Sequence, residues 1–352
     1  MFKVSEKTLT LLKDLEDRID PEVENDYRAQ WEAFLFDRFD GDVFHPERKK
    51  TAPPKVFFPK ININDAIADP DIMLQSELAR ASAALNSTDK IPCIRANYGT
   101  GIMTSLFGAE IFVMPRENNT LPTTRSLNDT EKIRQIVENG IPSLSTGFGK
   151  NVLEFGDTVA ELFESFPKVK EYVTVYHPDL QGPLDVCELL WGCDLFYAMY
   201  DEPELVHGML SLITDTYESM MKKWVEIIPF RDKMNPHWQN FYNKGNLVLR
   251  SDSAMNLSPA AYEEYSIPYD KRLLDTFGGG AVHFCGRGDH YIEILCSLPN
   301  VYGINMSQPH LNDMEKIYKA TVDKGIKLLA FNADYAKKDK ARIGAFNHSL
   351  HS

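Results

Sequence analysis

From residue 91 onward, short apolar runs alternate with longer segments whose apolar residues recur every three or four positions. The runs "IPCIRANYG", "AEIFVMP", "YVTVYHPD", "NLVLRSD", "GAVHFCG", "VYGINMSQP" and "IKLLAFNAD" end in polar or turn-forming residues and are predicted strands. The segments "EPELVHGMLSLITDTYESMMKKWVEII", "SPAAYEEYSIPYDKRLLDTF", "DHYIEILCSL" and "NDMEKIYKATVDKG" are predicted helices. In the first, Leu205, Met209, Leu212, Thr216, Met220, Trp224 and Ile227 form one stripe suited to packing on a sheet. Ser258 before Pro259 reads as a cap followed by a first-turn proline. Strand–helix alternation predicts parallel strands joined by right-handed crossovers. That leaves an open doubly wound sheet or a closed eightfold barrel.

Residues 1–90 have a different texture. "SEKTLTLLKDLEDRIDPEVENDYRAQWEAFLFDRF" is rich in helix formers, and Pro21 can open a second helix. "HPERKKTAPPKVFFPKININDA" reads as a connecting loop, and "DPDIMLQSELARASAALN" as a helix capped by Asp69. The predicted organisation is an N-terminal helical extension over residues 1–90 and an α/β unit over 91–352.

The strand ends favour the barrel. They carry Arg95 and Asn97, His177 and Asp179, Arg250 and Asp252, His283 and Cys285, Asn305 and Gln308, Asn332 and Asp334. Barrel enzymes assemble sites from the C-terminal ends of several strands, whereas an open sheet gathers them at one switch point. A dinucleotide fingerprint has one weak hit, "GTG" at 99–101, with Thr104 where its last glycine belongs. The expected fold is therefore a (β/α)8 barrel with an N-terminal helical extension.

Composition narrows the function classes. Of 352 residues, 43% are hydrophobic and 25% charged, which is globular composition. A net charge of -13 argues against a nucleic-acid surface. No apolar run is long enough to span a membrane, and the charged opening stretch lacks a signal core, so a cytoplasmic protein is expected. Five cysteines in such a chain suggest free thiols or metal ligands rather than disulfides. Cys93, Cys187, Cys193 and Cys296 lie in apolar contexts and are expected in the core; His207 and His290 fall on predicted helices and are expected to be structural.

The chemistry then rests on period-two geometry. Residues two apart on a strand share a face, so His283 and Cys285 point together and Val282 and Phe284 point the other way. Imidazole plus thiolate suits zinc; a buried cysteine beside a hydrogen-bonded histidine is the competing reading. Asp252 serves as a general base, a partner that orients the histidine, or half of an ion pair with Arg250. His177 and Asp179 share a face and are catalytic candidates, or cap the next helix. Gln181 sits in a turn suited to pressing backbone on a ligand. Arg95 is a candidate anchor for an anionic group, with a rim salt bridge as its alternative. Asn97, Gln181, Arg250, Asn305 and Gln308 complete the candidate substrate-binding set. The tail carries His348 and His351, either of which can fold back over a rim.

Three stretches together resemble the uroporphyrinogen decarboxylase superfamily: "HPDLQGPLDVCELLWG" with "DEPELVHGMLSLITD", "LRSDSAMNLSPAAYEEYSIPYDKRLLDTFGGGAVHFCG", and "VYGINMSQP" with "IKLLAFNAD". The resemblance spans roughly residues 170–335 and implies the same barrel. It implies one of two branches. The porphyrinogen decarboxylases carry an N-terminal arginine signature of the form "MRQAGRY", absent here. The zinc-dependent methyltransferases that act with corrinoid proteins are similar at His283 and Cys285, their first two zinc ligands. Their further cysteine near the C-terminus has no counterpart after Cys296, so either His348 (the expected ligand) or His351 substitutes, or a substrate thiol and an oxygen complete the site, or no zinc is bound. The expectation is zinc-dependent methyl transfer from a corrinoid, carried on a partner protein, to a small thiol acceptor. The alternatives are cofactor-free decarboxylation of uroporphyrinogen or a related tetrapyrrole acid, with Asp252 stabilising a protonated pyrrole, and a non-catalytic binding barrel. Sequence sets no oligomeric state, and a homodimer is compatible with it.

Overall fold

The computed structural model describes residues 1–41, 43–332, 335 and the backbone of Ala345–Asn347. Its strands, in chain order, are β1 (Val43–Phe44), β2 (Cys93–Ile94), β3 (Glu110–Phe112), β4 (Thr123–Arg125), β5 (Thr174–Val175), β6 (Met234–His237), β7 (Phe241–Lys244), β8 (Leu247–Arg250), β9 (Gly280–Phe284), β10 (Val301–Met306), β11 (Lys327–Phe331) and β12 (Ala345–Asn347). Six of them form one parallel sheet in the order β1-β12-β11-β10-β9-β8, and β2 and β5 form a parallel pair. The remaining four make two antiparallel hairpins, β3–β4 and β6–β7.

Side-chain alternation splits the sheet faces between two cores. Val282, Phe284, Leu249, Ile304 and Leu328 pack with the helices. Val248, Ala281 and Leu329 pack instead with Cys93, Tyr176 and the β7 residues Phe241 and Tyr242. Residues at β2, β5, β8, β9 and β11 thus share one interior. Tyr27 and Trp31, from the helix Pro21–Leu35, close it on one side.

Several helices follow their sequence signals closely. Asp20 caps Pro21–Leu35, and Asp69 caps Pro70–Leu85 through the N–H groups of Asp71 and Ile72. The long stripe predicted from Leu205 onward is the helix Pro203–Ile227, with Met209, Met220 and Trp224 buried. Others differ, each for a local reason. The segment from Ser258 forms two helices, Pro259–Tyr265 and Ile267–Phe277, because Pro268 has no N–H for the first helix to use. "DHYIEILCSL" is α-helical only over Ile292–Leu295, which leaves His290 in the turn before it. "AEIFVMP" becomes β3 of a solvent-exposed antiparallel hairpin, outside the parallel sheets. The loop predicted after residue 45 contains a short helix, Ile63–Ala68, and the first ninety residues also lend β1 to the sheet. Of the cysteines placed in the core, Cys193 is exposed instead, where the chain passes between the helices Pro183–Trp191 and Asp194–Asp201. No helix among the described residues is long and apolar enough to cross a membrane.

Gly182 couples the sheet to the helix Pro183–Trp191. A Cβ there would sit 2.0 Å from the Arg250 carbonyl oxygen, so only glycine lets this helix start against the end of β8. Gly182→Ala should therefore destabilise the fold by roughly 1–3 kcal/mol, the ordinary cost of overpacking. Urea unfolding checks it; an unchanged midpoint would show that the contact yields freely.

Candidate metal centre

β9 is buried along its length and ends with His283 on the face opposite Val282 and Phe284. Cys285 follows just past the strand, and Gly286 turns the chain away with φ +76°. Asn305 on β10 is the register partner of His283. Its side-chain NH2 donates to the Leu329 carbonyl of β11 at 2.7 Å, so its oxygen faces His283 Nδ1, 2.6 Å away. An amide oxygen only accepts, so Nδ1 carries the proton and Nε2 keeps its lone pair.

That lone pair faces two further donors. Nε2 lies 3.5 Å from Cys285 Sγ and 3.6 Å from Asp252 Oδ1. Asp252, Cys285 and His283 each offer one ligand atom, all within 4.8 Å of one another. Asp252 Oδ1 also accepts the Cys285 N–H at 2.6 Å, and Cys285 Sγ donates to Ser307 Oγ at 3.4 Å. Zinc bonds of about 2.0–2.3 Å in a tetrahedron put ligand atoms roughly 3.4–3.6 Å apart. The donor set suits zinc, and the two separations from Nε2 match that spacing.

Asp252 is itself held from behind. The buried Asp185, in the first turn of Pro183–Trp191, accepts the N–H groups of Asp252 at 3.1 Å and Ser253 at 2.8 Å. Burial first, and Asp252 second, push the Asp185 carboxyl up to about 7. Burial and then Asp252 push the Cys285 thiol up to about 11. Burial lowers His283, Asp252 opposes that, and Arg250 adds to it, so the imidazole stays neutral at pH 7.

Two clefts meet at this centre. One, of about 370 Å³, is lined by His283, Cys285, Ser307, Gln308, Trp238 and Arg80 among others. The second, of about 520 Å³, is lined by Asp252, Asp185, Gln181, Glu188 and Met255 among others.

The other polar strand ends are engaged with each other. Arg95 Nη1 donates to Asp179 Oδ2 at 3.1 Å, Arg250 Nη2 lies 3.3 Å from Asp179 Oδ1, and Gln181 donates to the same oxygen at 2.5 Å. Burial raises the Asp179 carboxyl, but Arg250, Arg95 and Gln181 outweigh it and hold it below the ordinary range. Asp179, expected as a catalytic candidate, is thus held in buried ion pairs with Arg95 and Arg250, both expected as substrate anchors. Arg250 pairs with Asp179, not with Asp252, and also donates to the Val248 carbonyl. His177 is engaged at both ring nitrogens: its Nε2 accepts the Val248 N–H at 3.1 Å and its Nδ1 faces the Pro178 carbonyl at 2.8 Å. Asn97 donates to Glu77 away from both clefts, and Asn305 stands behind the histidine rather than against a substrate. Gln308 and Gln181 do line clefts, although the Gln308 oxygen also accepts the Gly286 N–H. Asp334, His348 and His351 lie outside the described residues.

Asp185 and Trp238 escaped sequence reasoning. Asp185 looks like any acidic residue in a first helical turn, and Trp238 sits in "NPHWQNFYNKG", where neither helical nor strand periodicity is visible.

Behind Asp185 lies Asp270, fully buried and accepting from Ser266 Oγ at 2.8 Å. Burial first and Asp185 second push its carboxyl up to about 7, although Ser266 opposes them. The folded state therefore binds more protons than the unfolded state between about pH 4 and pH 7, and stability falls as pH rises through that window. Asp270→Asn should flatten the fall by at least roughly 1 kcal/mol. Urea titrations at pH 5 and pH 8 measure it; equal slopes in both proteins would show that Asp270 does not titrate there.

No family model matches the chain, and no curated protein matches it. Solved structures do. A methyltransferase from Methanosarcina mazei superposes with a TM-score of 0.63 over 92% of this chain and 93% of its own, at 14% sequence identity. At that identity the likeness is one of fold: an α/β chain with parallel sheets, arranged as in that methyltransferase.

Proposed function

We propose that this chain is an enzyme that transfers a methyl group to a thiol at a zinc centre formed by Asp252, His283 and Cys285. The observation that carries the reading is the locked histidine: Asn305 fixes its tautomer, and the free Nε2 faces a thiol and a carboxylate at ligand spacing. The name of the Methanosarcina mazei structure supports methyl transfer as the reaction class.

The architecture in this reading is a closed (β/α)8 barrel built from residues 91–352 together with β1, which the N-terminal extension over residues 1–90 supplies. Eight strands qualify as its staves: β2, β5, β8, β9, β10, β11, β12 and β1. The Val248 N–H donated to His177 joins the β5 end to β8, and the shared interior of β2, β5, β8, β9 and β11 supports closure. The centre then lies where barrel enzymes keep their sites, beyond the strand C-termini.

Methyl transfer to sulfur is a displacement in which a C–S bond forms as the donor–carbon bond breaks, so the acceptor must arrive as thiolate. The protein alone works against thiolate, as the Cys285 thiol at about 11 shows. A bound zinc ion would supply the positive charge that keeps Cys285 and an acceptor thiol deprotonated at neutral pH. Asn305 orients the imidazole, Asp185 anchors the turn that presents Asp252, and Ser307 receives the Cys285 thiol. The 370 Å³ cleft has room for a small thiol beside Cys285. The methyl donor in this reading is a corrinoid on a partner protein that docks over the strand ends. Decarboxylation of a polyacid is disfavoured, because Arg80 is the sole Arg or Lys among the described residues lining the two clefts.

Purified protein should carry about one zinc per chain, and His283→Ala and Cys285→Ser should each lower zinc affinity by more than the roughly 10–100-fold typical of supporting residues. Methylcobalamin demethylation in the presence of small thiols, followed by absorbance, should fall in step. Metal-free protein with undiminished turnover would sink the reading.

A further inference from the structure

His237–Asn240 turns β6 into β7. The Asn240 N–H donates to the His237 carbonyl at 3.1 Å, and Trp238 and Gln239 have φ of +48° and +66°. The register pairs His237 with Phe241, so the loop holds residues 238–240, and two of its three residues are left-handed, a conformation that favours Asn and Gly. An indole and a long amide are both strained in that conformation. The surroundings hold the turn in place. The Gln239 carbonyl accepts the Ile91 N–H at 2.9 Å, and the fully buried His237 ring faces Arg250 Nη2 at 2.6 Å through Nε2.

The strained turn fixes the position of one side chain. Arg250 Cζ lies 4.3 Å from the centre of the Trp238 ring, and the Trp238 and His283 rings meet edge-to-face at 4.8 Å and 85°. His283 has one short hydrogen bond, from Nδ1 to Asn305, while Nε2 is 3.5 Å from Cys285 Sγ and 3.6 Å from Asp252 Oδ1. One short hydrogen bond at that corner fixes a ring atom but not the ring plane, and a tilt would swing Nε2 off Asp252 and Cys285. An aromatic ring across the imidazole removes that freedom. An interior filler alone would not need a left-handed tryptophan; any bulky apolar residue on a relaxed strand would serve.

We propose that Trp238 is a positioning residue of the metal centre: wedged between Arg250 and His283 by a strained hairpin, it holds the imidazole so that Nε2 stays aimed at Asp252 and Cys285. This rests on the metal reading above and adds to it a requirement for an aromatic ring at the hairpin tip.

Three variants of the full chain test it: Trp238→Phe, Trp238→Leu and Trp238→Asn. Zinc affinity is read by competition with a chromophoric chelator, and geometry by the visible spectrum of the cobalt(II) form. Circular dichroism and thermal melting check the fold. Asparagine is at ease in a left-handed turn position, so the Asn variant keeps the hairpin while losing the ring. Trp238→Phe should stay within about threefold of wild type with the same cobalt spectrum, while the Leu and Asn variants should bind about tenfold or more weakly, with an altered spectrum. Wild-type affinity and spectrum in a folded Leu or Asn variant would overturn the proposal. So would a Phe variant as weak as the Leu variant, since that assigns the effect to lost volume. Wild-type protein that binds no metal overturns the metal reading and this proposal with it; tight wild-type binding with indifferent variants overturns this proposal alone.

Discussion

The candidate centre depends on the hydrogen bond between Asn305 and His283. It spans three strands, because Asn305 faces His283 on β9 with its oxygen and Leu329 on β11 with its nitrogen. The amide cannot reverse without setting its oxygen against the Leu329 carbonyl oxygen, so sheet register sets the tautomer. A slip of one residue between β9 and β10 would turn Asn305 to the helix side and leave a buried imidazole unpartnered. The same register places Val282 and Phe284 in the outer core, so the packing that stabilises the sheet also fixes where the ligand nitrogen points.

The polar residues at the strand ends divide into two networks with different physics. Arg95, Asp179 and Arg250 are almost wholly buried, with the one carboxylate shared between the two guanidiniums, and pairing of this kind is what lets such charges tolerate burial. His177 joins β5 to β8 through backbone groups, and His237 meets the Arg250 guanidinium. This network braces the interior. The second network, Asp252, His283 and Cys285, lies on cleft walls, with Asp252 41% exposed and Cys285 half-buried. Asp185 and Asp270 extend it inward as buried carboxyls with raised pKa values.

This division explains which parts of the sequence were legible. Strand periodicity placed His283 and Cys285 on one face and Val282 and Phe284 on the other, because alternation is a local property of any strand. The long helix from Pro203 was equally plain, since its stripe repeats over many turns. The roles of His177, Asp179, Arg95 and Arg250 were not legible. A polar residue at a strand end looks the same in sequence whether it faces a cleft or a counter-ion eighty residues away, as Arg95 and Asp179 do. Asp252 was readable as a rim residue but not as a third ligand atom, because it leaves β8 through a short 3-10 turn that strand alternation does not describe.

The β6–β7 hairpin lay furthest outside what the sequence conveys, and the reason is energetic. Left-handed positions favour Asn and Gly, and the chain places Trp-Gln there instead. A sequence under selection for turn stability alone would lose nothing by adopting the favoured pair. Trp238, however, contacts His237, Arg250 and His283 at once, which links the bracing network to the metal centre through one ring. Conflicts between local preference and the adopted structure are expected where something other than stability is being held in place. Here the conflict sits beside the one histidine whose tautomer and orientation the reading requires. The hairpin therefore belongs with Asn305 among the devices that preorganise His283, one acting on its proton and the other on its plane.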